Sequence, residues 1–392
     1  MFHCSRRQLL FAAPAMVPFL ARRAKAAPTP VSRVAVTACT SYGAALVPAL
    51  DGLFDSLNIG RLVRGKTVAI KINMTGSPKA RVGYVPLEDT VYSHPRVIGA
   101  VAYLLSRAGA RRIRVLEGAF DCSDPLEEFM LQAGWEPNDI LNAAPNVEME
   151  NTNIAGVARK YHRFQTAGGG HIFPAFDLNH SFADCDVFVS LAKMKEHATA
   201  GITLSMKNCF GSTPISIYGG SAGVDEPNEN PRGGRGMFHD GDRQPSRSAP
   251  GENEPATNRD PGYRVPRIVA DIVASRPIDL AIIDGVRSMA GGEGSWISGV
   301  SPVRPGILVA GLNPVSTDAV GMALMGFDPM ADRGTPPFET SDNTLRLAEE
   351  LGVGTRDLSR IEVAGPRIDQ LRFDFAGPRK VRRARLQADA HA

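Results

Sequence analysis

The stretch from Leu191 to Gly211 holds the side chains best suited to chemistry: Lys193, Lys195, His197, Lys207, Asn208 and Cys209, behind a strongly apolar run. An unpaired lysine is expensive to bury. Three of them here point to a ligand, a cofactor or a nearby carboxylate. His197 and Lys207 are ten residues apart, with Gly201 between them. A regular helix would hold the pair far apart along its axis, whereas a strand–turn–helix path lets them converge. A neutral imidazole serves as general base or metal ligand. A lysine holds an anion or forms a covalent link to a cofactor. His197 and Lys207 are therefore the expected catalytic residues, with Lys207 also the expected cofactor anchor. Lys193, Lys195 and Asn208 are expected to bind substrate or anion. The competing reading is a hydrogen-bonded core histidine and a solvated lysine.

Other candidates lie far away in sequence. His94-Pro95-Arg96 opens a helix that Ser93 can cap, with Pro95 suited to its first turn. Helix N-termini attract anions, and a guanidinium adds a bidentate partner. His94 is thus read as a second acid/base group and Arg96 as an anion ligand. Lys71 and Asn73 end one apolar run, Glu117 the next, and Asp284 a third. In α/β enzymes, sites lie beyond the carboxyl ends of strands, which adds Lys71, Asn73 and Asp284 to the anion-binding set. His239 lies in a long polar segment and is the expected metal ligand or proton carrier if that segment folds over the site. Asp318 is read as interacting with the dipole of its own helix. His162, His171 and His180 have no partner pattern. The glycine-rich run at 289–294 is neither G-x-G-x-x-G nor a P-loop, although its amides can nest an anion. No G-x-S-x-G elbow, H-E-x-x-H helix or EF-hand loop is present.

The elements that must position these residues alternate between apolar β-rich runs and amphipathic helical runs. Strands are expected at 32–38, 66–72, 112–117, 186–191, 279–283, 306–310, 361–364 and 371–375. Helices are expected at 43–57, 95–108, 125–132, 265–274, 315–325 and 344–351, the third capped by Ser123 or Asp124. The pattern predicts an α/β fold with mixed or mostly parallel sheets flanked by helices. The length predicts one large elaborated domain or two lobes over 27–376. Residues 218–262 are dense in Gly, Pro, Asn, Asp and Arg. They read either as a substrate-covering loop or as a disordered insertion.

Ser5-Arg6-Arg7-Gln8-Leu9-Leu10, the apolar stretch to about residue 21 and the small-x-small site Ala24-Lys25-Ala26 resemble a twin-arginine leader. Residues 1–26 are thus an expected signal peptide. The expectation is export to the periplasm through the twin-arginine translocase, cleavage near Ala26 and no stable membrane anchor. The chain has 44 Lys and Arg against 41 Asp and Glu. Losing the leader's five basic residues leaves a net charge of −2, which excludes a general electrostatic case for nucleic acid. The basic cluster at 379–385 reads as a solvated tail over 377–392. Cys39, Cys122, Cys185 and Cys209 form no C-x-x-C, against a [4Fe–4S] cluster or zinc knuckle. They fit disulfides and buried free thiols equally.

The chain resembles the family named domain of unknown function 362, or DUF362. The residues that carry the resemblance are Val68 to Met74, His94-Pro95, Lys193 to His197, Thr203 to Gly211, Asp284-Gly285, and Asn313 to Ala319. It covers most of residues 65–355. Many members add a ferredoxin domain whose cysteines this chain lacks, so iron–sulfur binding does not transfer. A second resemblance is to nickel-pincer lactate racemases, in which a histidine precedes an Ala-Gly pair and, ten residues on, a lysine bound to the cofactor. His197, Ala200-Gly201 and Lys207 keep that spacing. His94-Pro95-Arg96 is similar to their histidine–arginine pair, with a proline inserted, and Ser205-Met206 stands where they have glycines. His239 falls near their nickel-ligating histidine. The resemblance implies a metal or organometallic cofactor and isomerase-, racemase- or oxidoreductase-like chemistry. The resulting expectation is an exported enzyme acting on a small anionic, carboxylate-type substrate. The alternative is a non-catalytic periplasmic protein that binds metal or small anions, or a maturation factor.

Overall fold

The apolar run ahead of the lysine-rich segment becomes the middle of a large sheet. The computed structural model describes residues 32–377. The leader at 1–26 and the basic cluster at 379–385 lie outside them. Twelve strands are described: β1 (Ser32–Ala38), β2 (Thr67–Lys71), β3 (Arg112–Glu117), β4 (Val147–Asn151), β5 (Tyr161–Gln165), β6 (Ala175–Asn179), β7 (Val187–His197), β8 (Gly201–Thr203), β9 (Leu280–Ala290), β10 (Ser301–Val303), β11 (Ile307–Gly311) and β12 (Ile361–Ala364). Ten form one sheet whose main path runs β12-β1-β11-β9-β7-β2-β3-β4. From β4 to β9 all neighbours are parallel. β11 runs antiparallel to both β9 and β1, and β12 lies parallel on β1. β8 and β10 are short antiparallel additions to β7 and β9. β5 and β6 form a separate antiparallel pair. The fold is α/β with a mixed, mostly parallel sheet, as the alternating pattern predicts.

Side chains alternate between the faces of a strand, so the fully buried central strands feed two apolar layers. On one face Val68, Ile70, Val189, Leu191 and Ile282 pack with helices Leu46–Ser56 and Pro95–Arg107. On the other, Ala69, Phe188, Ile283 and Val309 pack with helices Pro261–Ser275 and Pro314–Leu324. Each of the last three helices has proline in its first turn and a side chain that accepts from its N-terminus: His94, Asp260 and Asn313.

Several elements differ from expectation. β7 and β9 run far past 191 and 283, because polar residues continue the strands wherever buried partners await them. β4 was not expected, since its Glu-rich sequence suits only a sheet edge. β5 and β6 were likewise not expected. The expected strand at 371–375 is absent, and Ile368–Leu371 forms a helical turn there. Helix Leu126–Gln132 has Pro125 at its N-cap and no side-chain cap, so neither Ser123 nor Asp124 plays that part.

The polar stretch at 218–262 is packed down onto the molecule. Met237 and Phe238 enter the core, and Arg264 binds Glu252 of the loop at 2.5 Å with both side chains buried. The loop carries the short helix Gly236–Asp240 and forms one wall of the site.

Candidate functional site

β7 ends in a tight return. β8 pairs back on it, with His197 opposite Gly201 and Lys195 opposite Thr203. Gly201 has φ +73°, and a β-carbon there would collide with Phe338, so only glycine fits this hairpin. The chain then enters the helical turn Ser205–Asn208. Asp318 fixes that turn from a neighbouring helix: it accepts from the Ser205 N–H at 2.9 Å, the Ser205 hydroxyl at 2.6 Å and the Met206 N–H at 2.9 Å. This strand–hairpin–helix path brings His197 and Lys207 to one cavity of about 460 Å³. Asn73, Phe120, Thr203, Arg235, His239, Glu293 and Trp296 line it as well.

Two cations face this cavity without a carboxylate partner. The Lys207 ammonium has no hydrogen-bond or ion-pair partner among the described residues and stands 4.0 Å from the centre of the Phe210 ring. Burial draws its pKa down to about 7, against an upward pull from Glu293. Arg235 is tied by Nε to the Thr213 carbonyl at 2.7 Å and by Nη2 to the Asn153 Oδ1 at 2.9 Å. Burial lowers it to about 10, so it stays charged.

The two imidazoles are held in opposite tautomers. His197 Nδ1 accepts from the Thr199 backbone N–H at 3.1 Å. A backbone N–H can only donate, so the neutral ring carries its proton on Nε2. His239 Nδ1 lies 3.1 Å from the Arg235 carbonyl, which can only accept. Its proton is therefore on Nδ1 and its lone pair on Nε2. Burial holds His197 at about 3, with Lys207 and His239 adding repulsion against Glu293's attraction. Burial likewise lowers His239, again with repulsion from Lys207. Glu293 Oε2 lies 3.9 Å from His197 Nδ1 and accepts from the Ala198 N–H, while Oε1 accepts from Trp296. Burial pushes Glu293 up, but His197 and those two hydrogen bonds outweigh it and bring it to about 2.

The floor is a saturated polar network with two exceptions. Lys71 pairs with Glu117 at 2.5 Å and donates to the Ile72 carbonyl. Asn208 accepts from Asn73 Nδ2 at 3.0 Å and donates to the Lys71 carbonyl and the Ser190 hydroxyl. Asn73 Oδ1 and Thr203 Oγ1 are buried without any hydrogen-bond partner. Such atoms are costly, and both are sealed from solvent.

The expected site residues therefore divide. Lys71, Asn73, His197, Lys207, Asn208 and His239 line the cavity. His94, Arg96, Lys193, Lys195 and Asp284 do not, which corrects their assignment. Lys193 binds Asp284 at 3.0 Å, the Tyr42 hydroxyl at 3.0 Å and the Glu88 carbonyl at 2.7 Å. Asp284 also accepts from the His94 and Val286 N–H groups, leaving no free capacity for a ligand. The His94 ring stacks on Tyr42 at 3.6 Å and its Nδ1 accepts from the Arg96 N–H, so it caps its own helix. Burial, reinforced by Lys193, holds it at about 3. The Arg96 side chain is exposed. Lys195 is fully buried and donates to the Val91 carbonyl at 2.6 Å, its pKa lowered well below normal by burial. Lys71 and Asn208 line the cavity, but their polar groups already serve Glu117, Asn73, Ser190 and the backbone.

Among the described residues no three His, Cys, Asp or Glu side chains come together as a metal set. The expected metal role of His239 thus lacks partner ligands among the described residues. Cys39, Cys122, Cys185 and Cys209 are free thiols. Arg235 and Glu293 were not anticipated. Arg235 sits in the polar loop, and Glu293 in the glycine-rich run, where the only signal was the capacity of its amides to bind an anion.

No curated protein matches this chain. A crystal structure of a Thermotoga maritima protein is similar at 15% identity over 43% of this chain and 37% of that one, with a TM-score of 0.27. That protein is thus matched over well under two thirds of its length, and a TM-score so low carries no argument. The family model described as Domain of unknown function (DUF362) matches residues 68–323, most of the chain, and the chain belongs to that family.

Proposed function

We propose that the cavity binds a small carboxylate and moves a proton at the carbon beside it. The observation that carries this is the Lys207 ammonium, which has no hydrogen-bond or ion-pair partner among the described residues and shares its cavity with a second cation, Arg235, that pairs with no carboxylate there. A carboxylate satisfies Lys207 and Arg235 together and supplies acceptors for the His197 Nε2–H. His239 offers the complementary lone pair and is unprotonated at neutral pH. The Phe210 ring lies 4.0 Å from the Lys207 nitrogen and 5.5 Å from the His239 ring. Lys207 and His239 thus border the same aromatic ring of the cavity wall. Among the described residues no three His, Cys, Asp or Glu side chains converge to hold a metal by themselves.

Calorimetry with a panel of short carboxylates, followed by solvent-deuterium exchange at the adjacent carbon, tests the reading. Binding should weaken about 10- to 100-fold in Lys207→Met, the size expected for losing a charged hydrogen bond. Affinity should fall as pH rises through about 7, where Lys207 loses its charge. Exchange should be lost in His239→Gln. Unchanged binding in Lys207→Met would reject the site. Binding without exchange would leave a carboxylate-binding protein that performs no proton transfer.

We also propose that the protein is exported by its twin-arginine leader. Replacing Arg6 and Arg7 with lysine should retain it in the cytoplasm at full length, and N-terminal sequencing of the wild-type protein should start near Ala27. A periplasmic double-lysine variant would overturn this.

A further inference from the structure

We propose that Lys207 is a Schiff-base nucleophile and that the ligand carries a carbonyl next to its carboxylate, as in a 2-oxo acid. This rests on the carboxylate reading above and extends it.

Lys207 is set apart from Lys71, Lys193 and Lys195, which are almost wholly buried. Lys71, Lys193 and Lys195 each donate to protein oxygens at 2.5–3.0 Å, so their nitrogens are engaged. Lys207 alone among these four has none, and its nitrogen stands against the apolar face of Phe210 inside the cavity. The turn that carries it is pinned at two backbone amides by Asp318, so the amine is presented from a fixed base. Without a carboxylate beside it, burial favours the neutral form, which is the nucleophilic one. Arg235 remains to hold the carboxylate once Lys207 is committed to the carbonyl carbon.

The step balances without an oxidant or a reductant. The Lys207 lone pair attacks the carbonyl carbon, and the C=O π pair moves to oxygen, which takes up a proton. The nitrogen loses its two protons, the oxygen leaves as water, and a C=N bond remains. His239 Nε2 takes each of the two protons from the nitrogen in turn and returns it to the oxygen, while the His197 Nε2–H keeps its proton and hydrogen-bonds that oxygen, so the proton transfers stay within the cavity.

The experiment is reductive trapping of the purified full chain with pyruvate and sodium cyanoborohydride, read by intact mass and peptide mapping. One reduced pyruvate adduct on Lys207 is expected, formed faster as pH rises through about 7 and absent in Lys207→Arg and Lys207→Met. Propionate has the carboxylate but no carbonyl. It should slow trapping by occupying Arg235, and should itself bind in calorimetry. No adduct at Lys207 while propionate binds would overturn the Schiff base and leave the carboxylate reading standing. An adduct spread equally over the exposed Lys79 would also overturn it. Trapping at Lys207 that propionate does not slow, with propanal as effective as pyruvate, would keep the nucleophile and overturn the carboxylate reading.

Discussion

The two cavity histidines differ less in position than in which nitrogen the backbone claims. An amide donor claims Nδ1 of His197, and a carbonyl acceptor claims Nδ1 of His239. One ring thus presents an N–H to the cavity and the other a lone pair, a hydrogen-bond donor and a base set by main-chain contacts alone. Nitrogen-15 spectra at neutral pH should show His197 as the Nε2–H tautomer and His239 as the Nδ1–H tautomer. The same tautomer for both would remove the division of roles. His94 was expected to be the second acid/base group because of its place at a helix start. Sequence gives that place but not the ring's neighbours, and stacking on Tyr42 and capping Arg96 take it out of contention.

At the scale of elements, buried ion pairs lock the central strands to one another. Lys71–Glu117 joins β2 to β3, and Lys193–Asp284 joins β7 to β9. Removing one member leaves a buried charge unpaired. Lys193→Met and Asp284→Asn should therefore each lose about 3–5 kcal/mol in denaturant unfolding. The double variant should lose less than the sum, because no charge is then stranded. Additive losses would mean that the pair is not coupled. The positions of Lys71, Glu117 and Asp284 were legible from apolar runs that stop at a charge, although β9 continues past Asp284. Their pairing was not, because partners 46 and 91 residues apart meet only through strand order.

Across the molecule, burial keeps His94 and His197 neutral far below their ordinary pKa near 6.5, at about 3. The unfolded chain takes up protons there before the native state does. Stability is thus present in full above about pH 6.5 and is lost as pH falls toward 3. Chemical denaturation between pH 7 and 4 should show this decline, and it should flatten in His94→Gln. An identical slope in that variant would assign the acid sensitivity elsewhere.

Hydropathy periodicity is a local property, so the sequence by itself determined the alternating strands and helices and the α/β class. The ten-residue spacing of His197 and Lys207 about Gly201 likewise carried their convergence, because a hairpin and a turn are closed within that span. Tertiary structure alone decided which charges remain free. Lys193, Lys195 and Lys207 share one segment and one side-chain chemistry. Asp284, from a neighbouring strand, takes Lys193, and the Val91 carbonyl takes Lys195. Nothing takes Lys207, and Arg235 and His239 are brought to it by a loop whose composition gave no hint of where it would pack. Desolvation and pairing depend on neighbours in space, and the chain order does not encode those neighbours residue by residue.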